Sequence, residues 1–600
     1  MNQKEWTIMI YMAGDNNLAV DMAYAMEQIK GVAAAGADSP NLFVYYDGNS
    51  PAIPTLYCDF SEPGKARYVR SYKVPNKQYQ VPKKENENAA NPRSILNFID
   101  WCVNKVEVEH HGEITFGRRA QKYALIFSGH SLGFQDIGLF KDETSGKSMK
   151  MTDFYLLLQA LVSGKKDLQE IAQANNWVDD EREIEHELLG QKLELLGFDS
   201  CVMGMLEVGY QFNLVAKTMI ASEGSVPSAG WTYAKILGCL TREHDADPRG
   251  VAELFVREFI RSQDSYTVGG VSVDMAAWDL SRFNRLADAF EELAEALIEC
   301  FNDSESRIYR QMERAILHVH WKCQSYMYDQ NVDLGDFCEL LDRECGLIVD
   351  ELGGGDDTGA LKRVQKECRS VLKELQKAVI LGGFSGGGYQ YSNGVSVFFP
   401  WSREAYEVSR KNYESLSFAK DVKRERLSWT DFLKKYLYDV SLRKFEAPYE
   451  DVPAGAKYRY YSGVRFDERP RAIVVSGNGS SATKIAGQEG TRIAGQEGTR
   501  IAGQEGTRIA GQEGTRIAGQ EGTRIAGQEG TRIAGQEGTR IAGQEGTRIA
   551  GGGGAGGFFQ SLRLFKNVES RWNISGFTKK PDEAEVEDHP LTSNAKAGAQ

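Results

Sequence analysis

Tyr123-Ala124-Leu125-Ile126-Phe127-Ser128-Gly129-His130-Ser131-Leu132-Gly133-Phe134 and Leu193-Glu194-Leu195-Leu196-Gly197-Phe198-Asp199-Ser200-Cys201 follow one pattern. Each is an apolar run that stops at a polar turn, with a reactive side chain just past its end. Short apolar runs bounded by turn residues predict strands buried on both faces, as in a parallel sheet. Working outward, Trp6–Ala13 and Leu42–Tyr46 read as buried strands, with a helix over Asp21–Ala34 between them. Ser94–Val108 reads as a helix with Ile95, Phe98, Ile99 and Cys102 on one face. Met203–Phe212 reads as a helix and Lys217–Ser222 as a strand. Strands alternating with helices imply an α/β fold with a mostly parallel sheet covered on both faces.

Helices dominate from Asp247 to Lys377, interrupted by the strand-like Gly270–Trp278. Asp247-Pro248 suits an N-cap followed by the first helical position. Gly394–Phe399 is a further strand, closed by Pro400, and Trp429–Val440 is the last helix of a globular part spanning 1–443. Residues 163–192 are highly charged and read as a mobile or helical insertion on the surface. Residues 444–484 form a loosely structured connector. The octapeptide IAGQEGTR then recurs eight times from Ile485 to Arg548, and a ninth copy breaks off at residue 550. One large apolar residue per repeat buries too little surface to offset ordering entropy, so a flexible, disordered tail is expected. A short-period β-solenoid is the alternative. A Gly-rich linker (551–557) leads to a tail (558–600) in which Phe558, Phe559, Leu562, Phe565, Val568 and Trp572 recur at helical spacing. That spacing predicts a short amphipathic helix, docked on its own domain, a partner or a membrane surface.

The 600 residues allow about three to five domains. A hydrophobic fraction of 41% excludes disorder of the whole chain. A net charge of −13, with no long basic run, argues against a nucleic-acid-binding surface. No stretch approaches the ~18 apolar residues of a membrane span. The opening apolar run is short and holds Trp6 and Tyr11, so it reads as a strand rather than a secretory leader. Nine cysteines without a CxxC pair argue against a zinc site or a disulfide framework, and a reducing cytoplasm is the expected location.

Among eight histidines none forms a metal motif. His110, His111, His186, His244 and His589 lie in polar stretches, and His318 and His320 read as structural. His130 differs because it sits in a glycine-flanked turn at the C-terminal end of a buried strand, where open α/β sheets place their sites. Cys201 has the same context. A helix expected just after it would favour the thiolate through its dipole. The other cysteines read as core residues or idle thiols. A His and a Cys at the ends of two strands of one sheet form a nucleophile–base pair. Asp199 stands at the lip of the same site, either as a helix N-cap or as counter-ion to a cationic substrate side chain.

The stretch Leu196–Val208 resembles the nucleophile segment of the clostripain family of cysteine peptidases. Tyr11–Leu18, Ala221-Ser222-Glu223, Pro227, Gly230–Tyr233, Val332–Phe337 and Asn393–Pro400 resemble further family segments in order. The resemblance spans residues 5–440 and implies a caspase-like α/β/α sandwich and a cysteine endopeptidase cutting after Arg or Lys. It implies Cys201 as nucleophile and His130 as acid and base. Asp199 would hold the substrate's basic side chain, with Glu223 as a site-wall residue. The backbone N–H groups of Ser131 and Cys201 would hold the oxyanion. Family members carry glycine after the histidine, where this chain has Ser131. Relatives that cut themselves between His and Cys point to Lys147, Lys150, Lys165 or Lys166 as a maturation site. No cofactor is required, no metal ligands are identified, and calcium enters by resemblance alone; Asp356-Asp357 lacks EF-hand spacing. The expected partners are protein or peptide substrates with basic residues. Eight repeat arginines, Arg492 to Arg548, could serve as a tethered substrate. The competing reading is a catalytically weak scaffold of the same fold that binds a partner through its tail.

Overall fold

The computed structural model describes residues 4–440 apart from connecting stretches that include 34–39, 71–86, 179–187, 241–246, 264–271 and 354–357. Beyond 440 it describes the backbone of strands in the repeats and one near the C-terminus. The strands of the globular part are β1 (Lys4–Gly14), β2 (Asn41–Gly48), β3 (Leu56–Glu62), β4 (Lys65–Arg70), the hairpin β5 (Val106–His110) and β6 (Glu113–Gly117), and β7 (Ala120–Ser128). They continue with β8 (Leu193–Asp199), β9 (Ala216–Ala221), β10 (Val273–Asp279), β11 (Ser325–Tyr326), β12 (Asn331–Asp333), β13 (Val379–Ser385) and β14 (Ser396–Phe398). The repeats contribute β15 (Lys484–Ala486) through β23 (Arg548–Gly551), and β24 is Leu562–Lys566.

One sheet runs in the order β24-β13-β10-β9-β8-β7-β1-β2-β3-β4. Its centre, β9-β8-β7-β1-β2, is parallel throughout. Antiparallel pairs flank it on both sides, so β13 and β4 run with the five central strands and β10, β24 and β3 run against them. Side chains alternate across the sheet with period two. Along β1, Met9, Tyr11 and Ala13 join one core, and Ile8, Ile10 and Met12 join the other. The second core is roofed by α1 (Ala19–Ala33), through Met22, Met26 and Ile29, and by two helices at Tyr233–Leu240 and Pro248–Ser262. The first is roofed by α2 (Pro92–Val103), α3 (Met151–Ser163) and the long helices that follow residue 280. Three layers, helix–sheet–helix, result. This is the α/β/α sandwich expected from the sequence.

Several expectations shift. The helix ends at Val103 instead of reaching Val108, because Val106-Glu107-Val108-Glu109-His110 alternates in polarity and pairs as a hairpin. Val379–Ser385 lies outside the expected strands: its glycines mask a strand that is buried along its whole length between β10 and β24. Gly394–Phe399 is extended but leaves the central sheet and forms a three-stranded sheet with β11 and β12. In the charged insertion, α4 (Lys165–Ala174) is a helix that buries Leu168 and Ala172.

The tail differs most. The repeats, expected to be flexible, pair in parallel at every second copy, so that Arg492 faces Arg508 and Arg500 faces Arg516. Two ladders result, of five and four strands, the arrangement of the solenoid alternative. The helix expected around Phe558–Trp572 is instead β24, which pairs antiparallel with β13 through Leu381↔Lys566 to Ser385↔Leu562. An open sheet edge is a template for strand addition, and that pairing outweighs the 3.6-residue pattern. Deleting residues 558–600 is expected to speed amide exchange at the β13 positions bonded to β24 and to spare those bonded to β10. Unchanged exchange along β13 would show that β24 does not cover this edge.

Candidate active site

The site is set by strand register. β7 and β8 pair in parallel with Ser128 opposite Asp199, so both chains leave the sheet at one level. His130 and Cys201 each follow two residues later. The two turns are laced together. The Gly129 N–H donates to the Asp199 carbonyl at 3.3 Å, and the Ser131 hydroxyl donates to the Cys201 carbonyl. A third loop, after β9, completes the frame: the Val202 N–H donates to Gly224 O at 2.9 Å and the Gly204 N–H to Ser222 O at 2.7 Å. Gly204 permits this approach, since a Cβ there would lie 2.5 Å from the Glu223 nitrogen. Val202 takes φ = 60°, a left-handed conformation costly for a β-branched residue and held here by its neighbours.

The helix expected directly after Cys201 begins only at Leu206, with Met205 as N-cap. The thiol therefore does not sit at a helix N-terminus, and the dipole argument for a thiolate fails. Burial instead pushes the Cys201 thiol above its usual range, opposed in part by the Val226 backbone. Its sulfur accepts from the Val226 N–H at 3.4 Å. Burial, aided by Lys141, holds His130 below its usual value. At neutral pH the resting pair is thus imidazole and thiol, not imidazolium and thiolate. His130 Nε2 lies 2.7 Å from Asn17 Oδ1. Asn17 is not among the candidate residues read from the sequence, although Asp15-Asn16-Asn17 directly follow β1, which pairs with β7.

Among the described residues, the backbone N–H groups of Ser131 and Cys201 donate to no other group. They are available as the pair of oxyanion donors expected from the sequence. Asp199 is not an N-cap. It ends β8 and is 4% exposed. Its Oδ2 accepts from Ser128 Oγ at 2.9 Å and Tyr233 OH at 3.0 Å. The Trp231 backbone is close enough to lower its pKa, yet Oδ1 makes no hydrogen bond of normal geometry. Burial dominates and pushes the carboxyl up to about 6.

Glu223 is no site wall. It is fully buried, and its Oε2 accepts from the Gly394 N–H at 2.8 Å. Burial raises it well above the carboxylate range, and Asp333 and Asp274 add to the shift. Asp274 in turn accepts from the Glu223 and Gly224 N–H groups at 2.7 and 2.8 Å. These acids tie the third loop to the strands beside it. His320 is structural, stacked between Phe399 and Trp401 at 4.1 and 3.8 Å. Lys147 and Lys150 are exposed, Lys147 closing a turn through mutual backbone bonds with Asp142 at 2.9 and 3.1 Å. Lys165 and Lys166 open α4. Asp356 and Asp357 lie outside the described residues.

The sequence profile of the clostripain family matches residues 176–436, a span that holds Cys201 and the loops around it. Residues 176–436, less than half of the chain, thus resemble the clostripain family. Clostripain from Hathewaya histolytica is 22% identical over 452 residues, covering 68% of this chain and 76% of that protein. Among solved structures, the inactive zymogen of a C11 protease from Parabacteroides distasonis is 17% identical, covering 71% of this chain and 99% of that one, with a TM-score of 0.44. A secreted C11 cysteine protease from Bacteroides thetaiotaomicron, solved with an irreversible peptide inhibitor, is 15% identical, covering 69% and 98%, with a TM-score of 0.44. These matches support a cysteine endopeptidase.

The Asn17 side chain meets the His130 ring at 2.7 Å and so would fix its orientation. Asn17→Ala is expected to lower kcat by up to about 100-fold, the scale of a misplaced catalytic group, with KM little changed. Steady-state kinetics on a small ester or amide substrate checks this. A rise in KM alone would remove Asn17 from the catalytic machinery.

Proposed function

We propose that this chain is a clostripain-like peptidase that cuts after Arg or Lys, with Cys201 as nucleophile and His130 as general acid and base. Cys201 Sγ attacks the scissile carbonyl carbon while its proton passes to the His130 ring. His130 returns that proton to the leaving amine as the C–N bond breaks. It then takes a proton from water, whose oxygen displaces the Cys201 thiolate from the acyl carbon, and passes that proton to the departing sulfur to restore the thiol. The Ser131 and Cys201 N–H groups hold the oxyanion. Because the resting thiol and imidazole are both neutral, the proton transfer accompanies attack.

One observation carries the specificity: Asp199 Oδ1, buried next to Cys201 in sequence and lacking a hydrogen bond of normal geometry. A buried acceptor without a partner is costly. A substrate guanidinium supplies the missing donors together with the opposite charge, and Arg does so in a fixed fork. Gly230 lies against this carboxyl, where a Cβ would sit 2.7 Å from Asp199 Oδ2.

Matched fluorogenic peptides ending in Arg, Lys or Asp test the reading. Cleavage after Arg should vanish in Cys201→Ala and fall about 100-fold in Asp199→Asn, the scale of breaking a buried charge pair. With the Asp199 carboxyl at about 6, kcat/KM for Arg should fall as pH drops through that value. The ratio to a citrulline peptide cancels the titration of His130. The sign for stability is opposite. A carboxyl raised in the folded state favours folding below the unfolded pKa near 3.8 and penalises it increasingly as pH rises through about 6. Asp199→Asn should therefore raise the melting temperature at pH 7, removing a penalty on the order of 3 kcal/mol at most. Failure of a basic peptide electrophile to label Cys201, together with no cleavage of any peptide, would favour the scaffold reading.

Self-processing forms part of the same proposal. Lys147 is the favoured cut among the four lysines, because it is exposed in a turn while Lys165 and Lys166 lie in a helix that does not fit an extended cleft. Mass spectrometry of active enzyme should find fragments ending at Lys147 and starting at Ser148, both absent in Cys201→Ala. An intact single band from fully active enzyme would refute processing.

A further inference from the structure

Asp15, Asp47 and Asp142 come from three separate segments: the residue after β1, the end of β2, and the turn that carries Lys147. One oxygen from each lies within 4.8 Å of the others, and all three side chains are buried. The surroundings satisfy two of them in part. Asp47 Oδ1 accepts from Thr55 Oγ1 at 2.9 Å. Asp142 accepts from the Ala89 N–H at 3.1 Å and the Ser145 N–H at 2.7 Å. Asp15 differs. It is 0% exposed, and neither carboxylate oxygen makes a hydrogen bond of normal geometry, although Thr144 lies nearby. Among the described residues, no Lys or Arg forms an ion pair with Asp15 or Asp142.

We propose that Asp15, Asp47 and Asp142 hold one calcium ion that braces the loop carrying His130. The donor set is all carboxylate oxygen, which suits a hard divalent cation. Magnesium gives up its waters reluctantly and is seldom held by protein oxygens alone, so a buried set of carboxylates from three segments favours calcium.

The ion's effect would reach the catalytic histidine through a short chain of bonds. The Asp15 carbonyl accepts from the Glu143 N–H at 2.7 Å, closing the first segment onto the third. The Asn16 side chain donates to Ala13 O at 3.0 Å and Lys141 O at 2.8 Å. Next to it, Asn17 meets His130. The Phe140 N–H donates to the His130 carbonyl at 2.9 Å. A cation on Asp15 and Asp142 therefore clamps both strands of chain that fix the imidazole.

The test uses the full chain carrying Cys201→Ala, so that its outcome does not depend on the proposed peptidase activity or on self-cleavage. After treatment with EDTA, CaCl2 is expected to raise the melting temperature saturably by several degrees, and MgCl2 to raise it much less. TbCl3 should bind one ion per chain, with luminescence sensitised by the nearby tyrosines and quenched by added CaCl2. Asp15→Asn and Asp142→Asn should each abolish the calcium-induced shift. No saturable shift with calcium would overturn the proposal, as would an equal response to magnesium. A shift that persists in both Asn variants would place the ion elsewhere and overturn it as well. If either variant fails to fold, terbium binding and its displacement by calcium in the Cys201→Ala chain decide the question alone.

Discussion

The register of β7 against β8 is the constraint on which the site depends. With Ser128 opposite Asp199, two residues further along either strand brings His130 and Cys201 to the same end of the same sheet. A slip by one residue would turn every side chain of β8 to the other face. Leu196 and Phe198 pack in one core and Leu195 in the other, so a slip would also misplace the apolar residues of both cores. Burial on both faces thus locks the relative positions of His130 and Cys201. The sheet, rather than any bond between the two reactive side chains, sets their separation.

Around that register the protein spends stability on carboxyl groups buried in loops. Glu207 accepts from the Phe398 N–H at 2.9 Å, Glu223 from Gly394, Asp274 from Glu223 and Gly224, and Asp333 from Asn393 and Asp336. Burial raises Glu207 and Asp274 each to about 7 and Asp333 to about 6. Each group is a post that satisfies backbone N–H groups no strand or helix could reach. Together they carry the turn that holds Cys201, the loop after β9 and the 393–399 segment as one unit. Preorganised donors and a turn with Val202 at positive φ need such a frame. The same acids make the frame costly, because partly satisfied buried charge is a liability elsewhere in a fold.

What the sequence reveals and what it hides follow the range of the interactions. β1, β2, β7, β8 and β9 are legible because a strand buried on both faces must be apolar along its length. His130 and Cys201 are legible because they end such strands. β13 is hidden because Gly382 and Gly383 read as a turn when nothing shows that β10 lies beside them. The delay of the helix to Leu206 is hidden for a similar reason: the N–H groups of Val202 and Gly204 are drawn out of a helix by the carbonyls of Gly224 and Ser222, about twenty positions away in sequence. Asn17 and the trio of aspartates are each unremarkable in their own segments. Their meaning comes from which strand ends are neighbours in the sheet. Glu223 was misread because a carboxylate after a strand looks exposed until the partners that bury it are known.

The repeats turn the same logic on the proposed substrate preference. Every copy places an Arg at the first position of a strand, and the strand pairs with the copy sixteen residues on. A protease cleft takes its substrate as a single extended chain, so a backbone committed to two ladder neighbours is closed to it until the ladder opens. The central copies, paired on both sides, are the best protected. The terminal strands, such as β15, β16, β22 and β23, have one ladder partner each. A tail rich in arginine is thus compatible with the proposed cleavage after Arg on the same chain, because its secondary structure withholds the bonds that its sequence offers.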